Sequence, residues 1–183
     1  MRRWLPFLLL AIALVAGYPY ASAIIFRAIG TNTVVFAEAD GLRRTLISGP
    51  DAPRPAWVPN LPGALTVSAA HWLPDPGRAI AGDLDLLTHK DVDDISRFYL
   101  DALAKAGFDA RDIGYGLMGE KAAAFFGVDG QILAYRAEDD ITVAVSIEAA
   151  SGLILRPRLV KLHWQTWGPA GAEYRARLFA QAK

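Results

Sequence analysis

Residues 80–107 read IAGDLDLLTHKDVDDISRFYLDALAKAG, and in this stretch a strand pattern passes directly into a helix pattern. Apolar and polar residues alternate over 80–86, which is typical of a strand with one buried face. Apolar residues then recur every three or four positions over 92–106, as along one side of a helix, and Gly107 stands where such a helix ends. The stretch therefore predicts a half-buried strand followed by a helix over 88–106.

The start of this helix carries its own signal. Thr88-His89-Lys90-Asp91 resembles a capping box with Asp in the fourth place instead of Glu. Asp93 and Asp94 follow in the first turn, where the positive end of the helix dipole favours carboxylates. We therefore expect the Thr88 side chain to cap the helix.

A second strand precedes this unit. Apolar and polar residues alternate over 65–69, and the turn-forming run PDPG at 74–77 separates that segment from the strand at 80–86. If Leu65 lies opposite Leu86, and Val67 opposite Leu84, the apolar residues of both strands share one face. This register predicts an antiparallel hairpin.

Further strands follow the helix. They comprise a possible strand at 108–113, segments 122–128 and 131–137 flanking the turn signal Asp129-Gly130, an alternating run at 141–147, and apolar runs at 153–155 and 159–162. Two strands, one helix and then several strands predict an α+β fold, in which an antiparallel sheet carries one main helix packed on a face.

The segment before residue 61 predicts two smaller parts. Segments 33–38 and 42–48 flank Asp40-Gly41, a hairpin signal that would place Glu38 opposite Arg43. Five prolines then occur within the thirteen residues 50–62, which excludes a helix or a central strand there and predicts a stiff connector.

The N-terminus predicts a membrane-directed segment. Arg2 and Arg3 precede an apolar run over 4–16, and Ala21-Ser22-Ala23 then offers a cleavage site. One interpretation is a secretory signal peptide cleaved after Ala23. The alternative is an uncleaved anchor over 4–26, whose 23 residues are long enough to cross a bilayer. We expect the rest of the chain to be exported to the periplasm, or anchored in the inner membrane and facing it.

The predicted organisation follows from these segments. It comprises a signal peptide or membrane anchor at 1–27, a possible hairpin at 28–49, a proline-rich connector at 50–60, an α+β domain at 61–165 and a basic tail or helix at 166–183.

Residues 61–64, Leu-Pro-Gly-Ala, open one of these strands, and the helix after Thr88 carries Phe-Tyr-Leu-Asp-Ala-Leu at 98–103 and closes with Ala-Gly-Phe at 106–108. In these features the chain resembles small uncharacterised bacterial envelope domains, which place a similar strand and helix behind a membrane segment. The resemblance covers about residues 60–150 and implies a location in the envelope, but it implies no activity.

Composition excludes several chemistries. The chain has no cysteine, which excludes disulfides, thiol nucleophiles and thiolate metal sites. It has 19 basic and 19 acidic residues, so no net charge attracts it to nucleic acid. The charges are uneven, however: residues 83–151 carry a net charge of −8, and residues 152–183 carry +5.

Gly114–Gly119 fits the dinucleotide-binding pattern G-x-G-x-x-G only in its letters. That site needs a buried parallel strand before the glycines, whereas 108–113 is half charged. The histidines at 71, 89 and 163 lack the spacing of a zinc site, and the run of Asp residues that begins with Asp83 and Asp85 lacks the pattern of a calcium loop. We therefore expect no catalytic motif, no cofactor and no metal.

The basic end of the chain interleaves cations with tryptophans. A partner or lipid surface is predicted to use Arg156, Arg158, Lys161, Trp164, Trp167, Arg175 and Arg177. The alternative is that the two tryptophans pack back on the domain while the cations remain solvated.

Two functions follow as expectations. The first is a non-enzymatic envelope module, tethered or exported, that binds or scaffolds another envelope component, either a protein or a lipid surface. The alternative is a small-ligand binder or an enzyme without a known motif, using the Asp83/Asp85 strand and the Gly114–Gly119 loop. A deep pocket that unites those two segments would favour the second function.

Overall fold

The computed structural model describes residues 20–21, 23–37, 43–73, 80–115, 119–149 and 157–166, together with Ala176 and Ala180. Its strands are β1 (Asn32–Ala37), β2 (Arg43–Ser48), β3 (Leu65–Trp72), β4 (Ala81–Thr88), β5 (Asp109–Gly114), β6 (Val128–Arg136), β7 (Ile141–Ala149) and β8 (Arg158–Thr166). Helix α1 covers Val92–Lys105 and helix α2 covers Glu120–Phe126. The predicted α+β class is confirmed.

All eight strands form one antiparallel sheet in the order β1-β2-β3-β4-β8-β7-β6-β5. The first four strands and the last four are each consecutive neighbours, and the two sets meet where β4 pairs with β8. Among the described strands, β1 and β5 are therefore the two edges.

One face of the sheet forms the core. Leu84, Val145 and Leu162 project from it on three neighbouring strands, and each is at most 1% exposed. Helix α1 contacts β5, β6 and β7 and buries Ile95, Tyr99 and Leu103, which confirms the predicted helix packed on the sheet. The opposite face of the central strands carries mostly polar side chains, and we call it the polar face.

Helix α1 begins differently from the prediction. Asp91 is its N-cap residue and makes no side-chain cap hydrogen bond. Thr88 instead ends β4, where its hydroxyl accepts a hydrogen bond from the Lys90 backbone N–H at 3.2 Å. The capping box was therefore wrong, because its first residue belongs to the strand. Gly107 follows the helix with a φ of 86°, the left-handed conformation expected of a glycine that ends a helix.

The register between β3 and β4 also differs from the prediction. Leu65 pairs with Leu87 rather than with Leu86, and Ala69 pairs with Leu84. The predicted register is off by one residue at Leu65 and by two at Leu84, and a bulge between Thr66 and Ser68 accounts for one residue of that difference. Simple alternation cannot reveal such an insertion, although the antiparallel hairpin itself is correct.

The hairpin predicted at Asp129-Gly130 does not form. Both residues lie within β6, where the pairing with β7 shifts between Val128 and Gly130. The preceding segment is helix α2, whose Glu-Lys-Ala-Ala-Ala sequence favours a helix over a strand. The turn between β6 and β7 lies instead at residues 137–140, where Asp140 has a φ of 57°.

The β1–β2 hairpin joins the same sheet, because β2 pairs with β3. Ala37 pairs with Arg43, so the predicted pairing of Glu38 with Arg43 is wrong. The proline segment does not stand apart as a connector. Ala52 and Leu61 are buried in the core, and Trp57 packs against it.

The N-terminal prediction lies mostly outside the described residues, since these begin at Tyr20. Residues 23–29 are helical, and Phe26 packs against the core. Within the described part of the chain, no helix has the length and apolar character needed to cross a membrane.

Candidate functional site

The outer edge of β1 carries no charge and exposes apolar side chains. Residues 31–36 are all exposed, and Val34, Val35 and Phe36 keep 42%, 54% and 44% of their surfaces in contact with solvent. The strand contains no charged residue and no proline. Within the described sheet, only β2 pairs with it, so its other edge presents backbone N–H and C=O groups that can pair with a further strand.

An aromatic and cationic cluster supports this edge on the polar face. The rings of Phe36 and Trp72 lie 5.4 Å apart, and the Arg44 guanidinium lies 4.4 Å from the centre of the Trp72 ring. Arg44 pairs with Phe36 across the strands, and Leu46 pairs with Trp72. The cluster gives the side chain of an added strand an apolar surface against which to pack.

The outer edge of β5 is built in the opposite way. Asp109 and Arg111 form an ion pair at 2.7 Å along the strand. Asp112 accepts a hydrogen bond from the backbone N–H of Gly114 at 2.8 Å, next to a bulge in the pairing with β6. Charges and bulges of this kind discourage the pairing of a further strand.

The polar face carries a group of ion pairs between these edges. His163 Nδ1 lies 2.7 Å from Asp83 Oδ1, and because a carboxylate only accepts, the imidazole donates. Lys161 pairs with Glu148 at 2.7 Å, and the Ser146 hydroxyl donates to that same carboxylate. The hydrogen bond to Asp83 raises the pKa of His163, and burial raises the pKa of Asp85.

These pairs lack the arrangement of a Ser-His-Asp triad among the described residues. Asp83 and His163 are each about half exposed, with side-chain exposures of 55% and 46%. His163 also lies 3.4 Å from Gln165, and Ser146 is bound to Glu148 rather than to the histidine. A nucleophile needs a base within hydrogen-bond reach, and no described residue supplies that arrangement around His163.

The structure separates the two segments on which the enzyme or ligand-binding alternative depended. Asp83 and Asp85 lie on β4, whereas Gly114 ends β5, four strand spacings away in the sheet. At the usual strand separation this is about 19 Å. The strand before Gly114 is an antiparallel edge strand, unlike the buried parallel strand that a dinucleotide site needs.

The basic tail is only partly described. Arg158 pairs with Asp129, Lys161 pairs with Glu148, and Trp164 is 1% exposed within the core. The packed alternative therefore applies to Trp164, which cannot reach a lipid surface. Arg156, Trp167, Arg175 and Arg177 lie outside the described residues, so the lipid-binding tail stays a prediction.

The three histidines occupy separate environments. His71 is buried in the core, His89 stacks against Tyr20, and His163 lies on the polar face. Across the described ranges, no group of three or more metal-ligating side chains is arranged to hold a metal ion.

Sequence reasoning missed the importance of β1. The uncharged run Thr-Val-Val-Phe-Ala at 33–37 was a visible signal, but its place at a sheet edge depends on the strand order. Comparison with protein-family models, curated proteins and solved structures gives no match to this chain.

Proposed function

We propose that this chain is a non-enzymatic binding module of the cell envelope, which takes up an extended segment of a partner protein as a ninth strand beside β1. The observation that supports it is the exposed, uncharged edge formed by Asn32–Ala37. Strand addition supplies affinity through backbone hydrogen bonds and specificity through alternate side chains. This module needs no catalytic group.

The energetics of docking depend on the apolar side chains of β1. Burying a Val or Phe side chain completely stabilises a contact by about 1.5–3 kcal/mol. Val34, Val35 and Phe36 retain about half of their surface, so each contributes roughly half of that amount when a strand covers it. An apolar or β-branched residue opposite Phe36 forms the most favourable cross-strand pair. We therefore expect a partner segment that alternates apolar and polar residues.

A second copy of the chain offers similar chemistry, because Val34 of one β1 strand can face Phe36 of another. The experiment must therefore distinguish a partner protein from a dimer. A photo-crosslinking amino acid is placed at Thr33 on β1 in the full chain expressed in its native cells. The matched edge control places it at the exposed Tyr115, directly after β5, where it leaves the Asp109–Arg111 ion pair intact. We expect a crosslinked product from Thr33 whose mass is not twice that of the chain, and no product from Tyr115.

Variants of the same strand test whether pairing requires the apolar edge. Val35→Lys introduces a charge of the kind that blocks edge pairing, and we expect it to lower the crosslinking yield about tenfold. Ala144→Lys, at an exposed position on the central strand β7, should leave the yield unchanged. Equal yields from both edges, or a product of twice the chain mass alone, would contradict the proposal.

The proposed location rests on the sequence of residues 1–27. Intact mass measured on separated membrane and soluble envelope fractions tests it. A soluble form that begins at Ile24 would identify an exported module, whereas a membrane-bound form that retains the N-terminus would identify an anchored one. Recovery of the intact chain from the cytoplasm alone would contradict the envelope location.

A further inference from the structure

A cavity of about 350 Å³ lies at one end of the core face. Its walls include Trp57, His71 and Trp164. The ring centres of Trp57 and Trp164 lie 6.0 Å apart in an edge-on arrangement, and the ring centres of His71 and Trp164 lie 6.1 Å apart. Cavities of this volume fall within the range of small-molecule sites.

The proline segment forms one wall of this cavity. Pro53, Arg54 and Pro55 line it, and the Val58 backbone N–H donates to the Pro55 carbonyl at 3.0 Å. Proline restricts both its own backbone and that of the residue before it. The backbone at Arg54 is therefore held in place before a ligand arrives.

The cavity is positively charged on balance. Arg136 and Asp139 both line it and neutralise each other through a salt bridge at 2.6 Å. Arg136 also donates to the Ala106 carbonyl and lies 4.5 Å from the centre of the Phe108 ring, so its position is determined by the protein. Arg54 makes no ion pair with the described residues and supplies the remaining positive charge.

Two buried nitrogen atoms in the walls lack hydrogen-bond partners among the described residues. They are Trp164 Nε1, which is a donor, and Nδ1 of His71. His71 is 7% exposed, and burial lowers its pKa, so the imidazole stays neutral. Neither atom contacts solvent in this conformation. A ligand in the cavity therefore contacts the faces of these rings rather than the two nitrogen atoms.

We propose that this cavity binds a planar aromatic carboxylate of one or two fused rings. Tryptophan and imidazole rings provide flat apolar walls for the ligand ring. Arg54 provides the charge and the hydrogen-bond donors for the carboxylate. A cavity of about 150 Å³ holds benzene, so about 350 Å³ accommodates a bicyclic acid. This inference is independent of strand addition at β1.

Calorimetric titration of the full chain tests this proposal. The probes are 2-naphthoate and its uncharged analogue 2-naphthamide, each corrected by titration into the same buffer without protein. We expect saturable binding of the acid at one site per chain, about tenfold tighter than that of the amide because of the charge on Arg54.

Matched charge variants identify the site. Arg54→Gln should weaken naphthoate binding about tenfold and leave naphthamide binding unchanged. Arg97→Gln removes an exposed cation from α1, which does not line the cavity, and should change neither affinity. Absence of binding by both probes, equal binding of acid and amide, or an equal effect of the two substitutions would overturn the proposal. Thermal unfolding of both variants confirms that each is folded.

Discussion

The two edges of the sheet differ in what they leave open to a further strand. The β1 edge is uncharged, apolar and regular, whereas β5 carries Asp109, Arg111 and Asp112 and a bulge. Exposed edges favour unwanted pairing, and proteins usually protect them with charges and bulges. This difference supports the proposal that a partner strand pairs at β1 rather than at β5.

The two halves of the sheet meet where β4 pairs with β8, and the largest effect is expected there. Gly82 pairs with Trp164, and a Cβ atom at Gly82 would lie 2.2 Å from the indole ring. We expect Gly82→Ala to lower the free energy of unfolding by about 3 kcal/mol, since overpacking a core displaces its side chains. Chemical denaturation measures this change.

The matched control for that substitution lies at the protected edge. Gly114 ends β5 with open space around it and a φ of 57°. Gly114→Ala should therefore cost only the backbone strain, about 1 kcal/mol. Equal losses at Gly82 and Gly114 would show that the indole ring moves aside readily, and that the centre of the sheet is no more rigid than its edge.

A smaller effect is expected at the open edge. Phe36→Ala removes the ring contact with Trp72, and we expect a loss of about 1 kcal/mol in the free energy of unfolding. Tyr115, just after β5, has a similar exposure of 47% and makes no ring contact with the described residues, so Tyr115→Ala should change stability by less than about 0.5 kcal/mol. Chemical denaturation of both variants measures the two changes in the free energy of unfolding. A larger loss from Tyr115→Ala would mean that the β1 cluster does not stabilise its edge.

The reverse experiment makes the β5 edge resemble β1. Asp109→Thr combined with Arg111→Val removes the ion pair and leaves residues 109–111 uncharged, while Asp112 is retained. We expect this variant to associate in a concentration-dependent way in sedimentation velocity, because the ion pair that opposes pairing is gone. The conservative exchange Arg111→Lys should leave the sedimentation coefficient unchanged. If the double variant sediments unchanged, this ion pair is not what protects β5.

Much of this fold could be predicted where one residue pattern continued without interruption. Strand β4, helix α1 and strand β7 follow single periods of two or 3.6 residues, and the structure has all three. Two of the errors, the β3–β4 register and the turn at Asp129-Gly130, lie beside bulges. Alternation shows which residues share a face, but an inserted residue between Thr66 and Ser68 changes every pair beyond it.

The candidate sites were harder to predict than the strands. Asp129-Gly130 has the residues of a hairpin turn but lies at a bulge, because the alanine-rich segment before it forms α2. The exposed edge of β1 and the cavity beside Trp57 result from the strand order and from the packing of the proline segment. These are long-range properties to which no local pattern corresponds.

The smallest effect concerns stability as a function of pH. A histidine on each face of the sheet should contribute to it, and the two contributions should have opposite signs. Asp83 raises the pKa of His163 above its ordinary value of 6.5, so this pair stabilises the fold fully below pH 6.5 and loses that effect as the pH rises through the raised value. Burial lowers the pKa of His71, so protonation of the unfolded chain destabilises the fold as the pH falls below 6.5.

Their sum predicts a maximum in stability near pH 6.5, and the change on the alkaline side is less than about 1 kcal/mol because His163 is half exposed. Denaturation from pH 5 to 8 measures it. In His163→Gln the decline on the alkaline side should flatten while the decline on the acidic side persists, because His71 is unchanged. If stability declined on neither side of pH 6.5 in that variant, the two histidines would be coupled through the sheet. The two faces of the central strands would then not titrate independently.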